Sequence, residues 1–229
     1  MIMNNNNLNT TKMKERNLIV RCSALSKLMT KGRGKGSPLG ETTKTFIMDK
    51  AKEDFYGITP NFSNKFTEKG LRNEDVGIDM VNQSRFMNFK KNEERITTEW
   101  LTGECDINAE DKIIDIKCSW SFDTFPAFQE EANKSVKKSG YDWQLRGYMM
   151  LYDKPFGEVV YCLTSTPPDL LTAYDNLDLH DVESISIEKR LTSVKIERDA
   201  EKEKEIKQQY LHANKFYKEC ITELQTKNK

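Results

Sequence analysis

An α/β domain, with helices laid on a mixed sheet, is the fold class this 229-residue sequence predicts. Three observations carry the prediction. Stretches with helical and with strand-like patterning follow in the order helix–strand–strand–strand–helix–strand, which suits helices packed on a sheet. One pair of strand-like runs separates its apolar and charged residues onto opposite faces. A long charged segment closes the chain and carries an apolar stripe at steps of three and four.

Taken in order, residues 1–17 form an Asn-rich stretch expected to be a disordered tail, and a single domain is expected over 18–229 with its core at about 41–165. Leu18–Thr30 reads as a strand or turn entering a helix, with Ser23 and Ser26 as candidate caps. The Gly-rich basic run Lys31–Gly40 excludes regular structure and lacks the closing Lys-Ser/Thr of a nucleotide-binding loop. It is either a loop near nucleic acid or a plain solvated loop. Glu41–Phe55 reads as a helix with Phe46, Ile47, Met48, Ala51 and Phe55 on its apolar side, broken by Tyr56–Pro60. A second helix is expected over Asn64–Gln83, with Phe66, Leu71, Val76, Ile78 and Met80 as core positions.

Strand-like stretches follow at Arg95–Leu101, Gly103–Asn108 and Ile113–Cys118. Gly140–Tyr152 reads as a helix with Trp143, Gly147 and Met150 on one side, and Glu158–Thr164 as a strand bounded by glycine and prolines. Ser184–Ile187 is a short alternating run. The closing helix is expected over about 194–227, its stripe formed by Ile206, Tyr210, Ala213, Phe216 or Tyr217, Cys220 and Leu224.

Composition narrows the function classes. Lys plus Arg and Asp plus Glu number 36 each, so the formal net charge is zero. That weighs against a passive nucleic-acid coat, which is usually basic. Charge is unevenly spread, with ten Lys or Arg against three acids over residues 1–50. The five cysteines are widely spaced and contain no CxxC, so they read as reduced core thiols of a cytoplasmic protein, not as a zinc site or a disulfide framework. No apolar run is long enough to cross a membrane.

Leu101–Trp120 is the most informative segment. If Ala109–Lys112 is a hairpin loop, Asn108 lies opposite Ile113, Ile107 opposite Ile114, and Asp106 opposite Asp115. Alternation then points Asp106, Asp115 and Lys117 to one face and Ile107, Ile114 and Ile116 to the other, toward a core. Two carboxylates opposite each other repel, and a hard divalent cation such as Mg²⁺ or Mn²⁺ removes the conflict. Lys117, two residues beyond Asp115 on the same face, is placed to orient a water or to stabilise developing negative charge.

These residues resemble the PD-(D/E)XK nuclease superfamily, and within it the branch of phage lambda exonuclease, RecB-like nuclease domains and YqaJ-type viral recombinases. Gly70-Leu71-Arg72-Asn73-Glu74 resembles the first motif, with a helix glutamate that reaches the metal. Gly103-Glu104-Cys105-Asp106 resembles the second. Asp115-Ile116-Lys117 resembles the third, with Asp where many members carry Glu. Trp143–Tyr148 resembles the Gln-x-x-x-Tyr helix motif, with Gln144 and Tyr148 one turn apart.

The resemblance implies a restriction-endonuclease-like core (αβββαβ) and a long C-terminal helix. It implies a catalytic set of Glu74, Asp106, Asp115, Lys117 and Gln144, supported by Tyr148. One or two Mg²⁺ (or Mn²⁺) ions would be held by Glu74, Asp106, Asp115 and the Ile116 carbonyl. No iron–sulfur cluster is expected, since only Cys22 and Cys220 sit near the usual places.

The implied activity is sequence-independent digestion of double-stranded DNA from an end, in phage recombination or DNA processing. Implied partners are a single-strand annealing protein and further copies of the chain, with no membrane. An endonuclease, restriction-like or junction-resolving, is the alternative; a non-catalytic DNA-binding protein of the same fold is the second. Ser23, Arg33, Lys35, Arg72, Trp120 and Arg146 are candidate DNA contacts. Trp120, Phe122 and Phe125 either stack on DNA or pack as a loop on the domain.

Overall fold

The computed structural model describes residues 16–32, 38–61 and 63–227. The Asn-rich stretch through residue 15, and Arg33 and Lys35 of the basic loop, lie outside the described residues. Seven strands and six α-helices are described: β1 (Val20–Arg21), α1 (Leu25–Leu28), α2 (Glu41–Tyr56), α3 (Lys65–Arg85), β2 (Ile96–Thr97), β3 (Leu101–Gly103), β4 (Ile107–Asn108), β5 (Lys112–Ser119), α4 (Gln129–Ser139), α5 (Tyr141–Tyr152), β6 (Phe156–Leu163), β7 (Leu191–Glu197) and α6 (Ala200–Lys227). They fall into two compact units that interleave along the chain, one of residues 1–61, 97–102 and 199–229, the other of 62–96 and 103–198.

The first unit pairs helix α2 with helix α6. Thr43, Ile47 and Ala51 are the buried face of α2; Ile206, Gln209, Tyr210, Ala213, Tyr217, Ile221 and Gln225 are that of α6. Tyr217, not Phe216, takes the open stripe position, and Ile221 and Gln225 stand where Cys220 and Leu224 were expected. The Tyr217 hydroxyl donates to Asp54 Oδ2 at 2.8 Å, which fixes the rotation of α6 against α2. Met48 is exposed, since it sits beside Ile47 and one position off the buried stripe. Gly57, with φ 68°, ends α2 in the left-handed conformation that favours glycine. Neither Ser23 nor Ser26 caps a helix; the short α1 is closed instead from its far end, where the buried Thr43 hydroxyl lies 2.8 Å from Lys27 O and 2.9 Å from Thr30 O. Strands β1 and β3 are parallel, with Val20 opposite Leu101.

Helix α6 begins at Ala200, not near Val194. The Asp199 carboxylate accepts from the Glu201 and Lys202 amides at 2.9 and 3.1 Å and sets that start. Val194 lies in β7, whose alternation of polar and apolar residues suits an edge strand. The run Ser184–Ile187 forms a turn leading into a 3-10 turn at Ile187–Lys189 and is not a strand.

The second unit is a four-stranded sheet in the order β4-β5-β6-β7. Strands β4 and β5 are antiparallel, β5 and β6 parallel from Lys112↔Phe156 to Ser119↔Leu163, and β6 and β7 antiparallel. Helix α3 covers one face, where Ile78, Met80 and Val81 pack on Ile107, Ile114, Ile116, Val160 and Cys162. Gly77 permits this approach: a Cβ there would lie 2.5 Å from Ile116 Cγ2. Glu158, buried on the same face, is met by both Arg85 nitrogens at 2.9 and 2.6 Å and by Lys112 at 3.0 Å. Burial would raise that carboxyl, but the two cations hold it below its ordinary range.

Three of the five core positions expected on α3, Phe66, Leu71 and Val76, are exposed. The buried face instead runs through Lys69, Asn73 and Gly77 to Ile78, Met80 and Val81. Asn64 caps this helix, its side chain accepting from the Phe66 and Thr67 amides at 3.0 Å each. Helices α4 and α5 pack on β7 and on β5 and β6. Helix α4 leaves no apolar periodicity in the sequence because its charged residues bury only Ala132 and Val136. Gly140, with φ 73°, both ends α4 and precedes α5. Trp143 and Met150 are half-buried, and the covered side of α5 is formed by Gln144, Leu145, Gly147, Tyr148, Met149 and Tyr152.

Candidate active site

The hairpin has the expected register. Ile107 pairs with Ile114 and Asn108 with Ile113, and the Ala109 amide donates to Lys112 O at 2.9 Å across the four-residue turn. The paired ladder ends there: Asp106 sits in a bend just before β4, near enough to Asp115 for the two charges to act on each other. The apolar members join the core beneath α3, so the charged members face α5.

Asp115 is buried, 1% exposed, in the centre of a strand covered on both sides. Its Oδ1 accepts from Gln144 Nε2 at 3.2 Å, and the same amide nitrogen donates to the Tyr148 hydroxyl at 3.0 Å. Its Oδ2 lies 2.7 Å from the Lys117 ammonium yet is without an aligned hydrogen bond. Asp106 Oδ2 accepts from the Ile116 amide at 2.5 Å. Burial and then the Asp115 charge push the Asp106 carboxyl up to about 8, with Glu74 adding to the effect and Lys117 opposing it. Burial would lower the Lys117 amine, but Asp115 and Asp106 outweigh it and keep the amine above its ordinary range. The Lys117 ammonium also lies 4.8 Å from the Tyr141 ring centroid, a contact between β5 and α5 that no spacing signals.

Thus Asp106, Asp115, Lys117, Gln144 and Tyr148 are brought together. Glu74 is near enough for its charge to act on Asp106, but its Oε1 is 3.0 Å from Lys91 Nζ. Among the described residues no three of His, Cys, Asp and Glu are gathered closely enough to form a metal group. The donor chemistry nevertheless fits a hard divalent cation. The buried Asp115 and the half-buried Asp106 lie side by side, and burial together with the Asp115 charge drives the Asp106 carboxyl toward neutrality, a conflict that a divalent cation on the pair would relieve.

The candidate DNA contacts are differently placed. Ser23 is exposed in the first unit. Arg72 donates to Glu68 at 2.8 Å and to Asp169 at 2.7 Å, and Arg146 to Glu197 O at 3.4 Å. Trp120 packs edge-on between Phe66 and His180 at ring distances of 5.0 and 5.3 Å, with Lys65 Nζ 4.7 Å from its ring. Phe125 is buried and Phe122 exposed.

A sheet whose central strands β5 and β6 are parallel, with carboxylates and a lysine on one hairpin and a glutamate helix beside it, is the core of a PD-(D/E)XK nuclease. A phage-related exonuclease from Haemophilus somnus 129PT superposes with a TM-score of 0.87 at 37% identity, over 93% of this chain and 99% of that one. The chain belongs to the family of that phage-related exonuclease, in the lambda-exonuclease and YqaJ-like branch of the superfamily. An alkaline exonuclease from Laribacter hongkongensis shares the fold, with a TM-score of 0.64 at 13% identity over 92% of this chain and 93% of that one. The same enzyme in complex with dAMP gives 0.61 at 14% identity over 96% and 95%. No family model and no curated protein matches the chain. Among the described residues no helix is long and apolar enough to cross a membrane.

Proposed function

We propose that this protein is a Mg²⁺-dependent exonuclease that hydrolyses phosphodiester bonds from the ends of double-stranded DNA without regard to sequence. The observation that carries the reading is the gathering of Asp106 and Asp115 beside Lys117, in a chain related over nearly its whole length to a phage-related exonuclease. The dAMP bound by the Laribacter enzyme supports a nucleotide product.

Asp106, Asp115, Glu74 and the Ile116 carbonyl would hold one or two Mg²⁺ ions. A cation held there would supply Lewis acidity for phosphodiester hydrolysis. Glu74 would exchange its Lys91 ion pair for the cation to join this set. Gln144 keeps Asp115 turned toward the site, and Tyr148 keeps Gln144 in place. Lys117, kept protonated by its two carboxylate neighbours, serves as a fixed positive charge for the phosphate oxygens as negative charge develops on them. Contacts to phosphate fix the strand without reading bases, which supports sequence-independent cutting. The setting that suits this chemistry is phage recombination, where end digestion exposes single strands for an annealing protein.

The test is one plasmid in two forms, covalently closed and linearised, each with Mg²⁺ and with EDTA. Loss of the linear form alone, with Mg²⁺ alone, is the expected result. Nicking or linearisation of the closed circle would replace the reading with an endonuclease, and absence of cutting in either form would replace it with DNA binding.

A further inference from the structure

Lys69, on α3, is 1% exposed, and its ammonium is surrounded by oxygen. Ser119 O, Trp120 O, Thr164 O and Thr166 Oγ1 lie 2.7, 2.9, 2.7 and 2.8 Å from Nζ. The first two belong to the carboxyl end of β5 and its exit, the other two to the exit of the parallel strand β6. Carbonyls at strand ends have lost their ladder partners and need donors. An ammonium has three N–H groups, and here they are shared among four acceptors. No carboxylate is among them. Burial lowers the amine to about 8, with the Cys118 sulfur partly opposing that effect.

An apolar side chain of similar length would fill the same space without desolvating a charge, and buried charges are often less stabilising than such replacements. The use that best accounts for the lysine is registration. One turn along α3, Asn73 Nδ2 donates to Thr164 Oγ1 at 2.9 Å and to Ser165 O at 2.7 Å. One turn further, Gly77 rests on Ile116, Cys118 and Cys162. Positions 69, 73 and 77 form one stripe, so they fix both the rotation of α3 and its slide along the sheet. Glu74 is the residue next to that stripe, and its distance from Asp106 follows from both quantities.

We propose that Lys69 is a positioning residue that locks α3 to the ends of β5 and β6 and so sets Glu74 against the Asp106–Asp115 pair. The proposal rests on the reading of Glu74 as a metal ligand. Loss of the ammonium frees the amino-terminal half of α3 from the strand ends. Glu74 then no longer approaches the carboxylates at a fixed distance, and the cation is held less tightly.

The experiment is a double-mutant cycle on the full chain, read by calorimetric Mn²⁺ binding and by the Mg²⁺ concentration that half-saturates cleavage. Lys69→Met is expected to weaken Mn²⁺ binding about tenfold, as the loss of a residue supporting a ligand does, and to raise the half-saturating Mg²⁺ in parallel. In a Glu74→Gln background the same change is expected to weaken binding no further, because the lysine acts through the glutamate. Unchanged binding in Lys69→Met overturns the proposal, and so does an equal loss in both backgrounds, which marks general structural damage. If Glu74→Gln alone leaves Mn²⁺ binding intact, the ligand assignment fails together with the proposal. Should Lys69→Met not fold, Thr166→Val, which removes one of the four acceptors, decides the matter by the same cycle: weakening that vanishes in the Glu74→Gln background supports the proposal, and any other result overturns it.

Discussion

Replacing Asp106 by Asn isolates the electrostatic conflict at the centre of the site. The carboxyl moves from an ordinary 3.8 to about 8, through burial first and the Asp115 charge second. Between those two values the native protein retains a proton that the unfolded chain releases, so the metal-free protein loses stability as pH rises through the window. A displacement of about 4 pH units at roughly 1.4 kcal/mol each sets an upper bound near 6 kcal/mol. Asp106 keeps partial contact with solvent, and screening reduces the effect to roughly 2–3 kcal/mol. For a protein of this size that corresponds to roughly 5–10 °C in Tm. Asn cannot ionise and leaves the Lys117–Asp115 ion pair in place. Thermal unfolding in EDTA at pH 5, 6, 7 and 8 should therefore show Tm of Asp106→Asn rising relative to the parent, by roughly that amount between the extremes. Mg²⁺ should close the gap at pH 8 by stabilising the parent alone. A difference in Tm that stays constant with pH, or a variant less stable than the parent at pH 8, would refute the burial of Asp106 beside the Asp115 charge.

Three further outcomes are expected. Lys117→Met should lower the cleavage rate by roughly a hundredfold or more, the scale of one lost electrostatic donor, with DNA affinity in a filter-binding assay nearly unchanged; cleavage at the parental rate would remove Lys117 from the site. Gly77→Ala places a Cβ 2.5 Å from Ile116 Cγ2 and should cost roughly 1–3 kcal/mol by overpacking, read as a lower urea midpoint at unchanged slope. Arg85→Leu leaves Glu158 buried with Lys112 as its remaining partner and should destabilise by about 3 kcal/mol, partly restored by adding Glu158→Gln.

The hairpin was legible because a period of two and a four-residue turn determine which residues face one another, and both are local. The helix carrying Glu74 was only half legible. Its start near Asn64 is legible, but apolar patterning assigns Phe66, Leu71 and Val76 to the core when the helix meets strand ends, whose carbonyls call for Lys69 and Asn73. The spacing of Lys69, Asn73 and Gly77 was the available signal. The second half of β7, from Val194, reads as the start of the closing helix because its charges suit either an edge strand or a helix surface, and pairing with β6 decides between them. The Lys91–Glu74 contact joins a helix to an irregular segment, and no periodicity reports such a pair.

The interleaving of the two units has a consequence for the order in which the protein can be made. Helix α2 is synthesised early, but the helix that covers Ile47 and Ala51 within its unit is α6. All the strands of the nuclease sheet emerge from the ribosome between those two events. The nuclease sheet can therefore be assembled while an apolar helix face upstream still waits for its partner, a period during which nascent chains are prone to aggregate. Chains stopped before residue 200 are accordingly expected to need a chaperone to remain in solution, even with every residue of the candidate active site already in place.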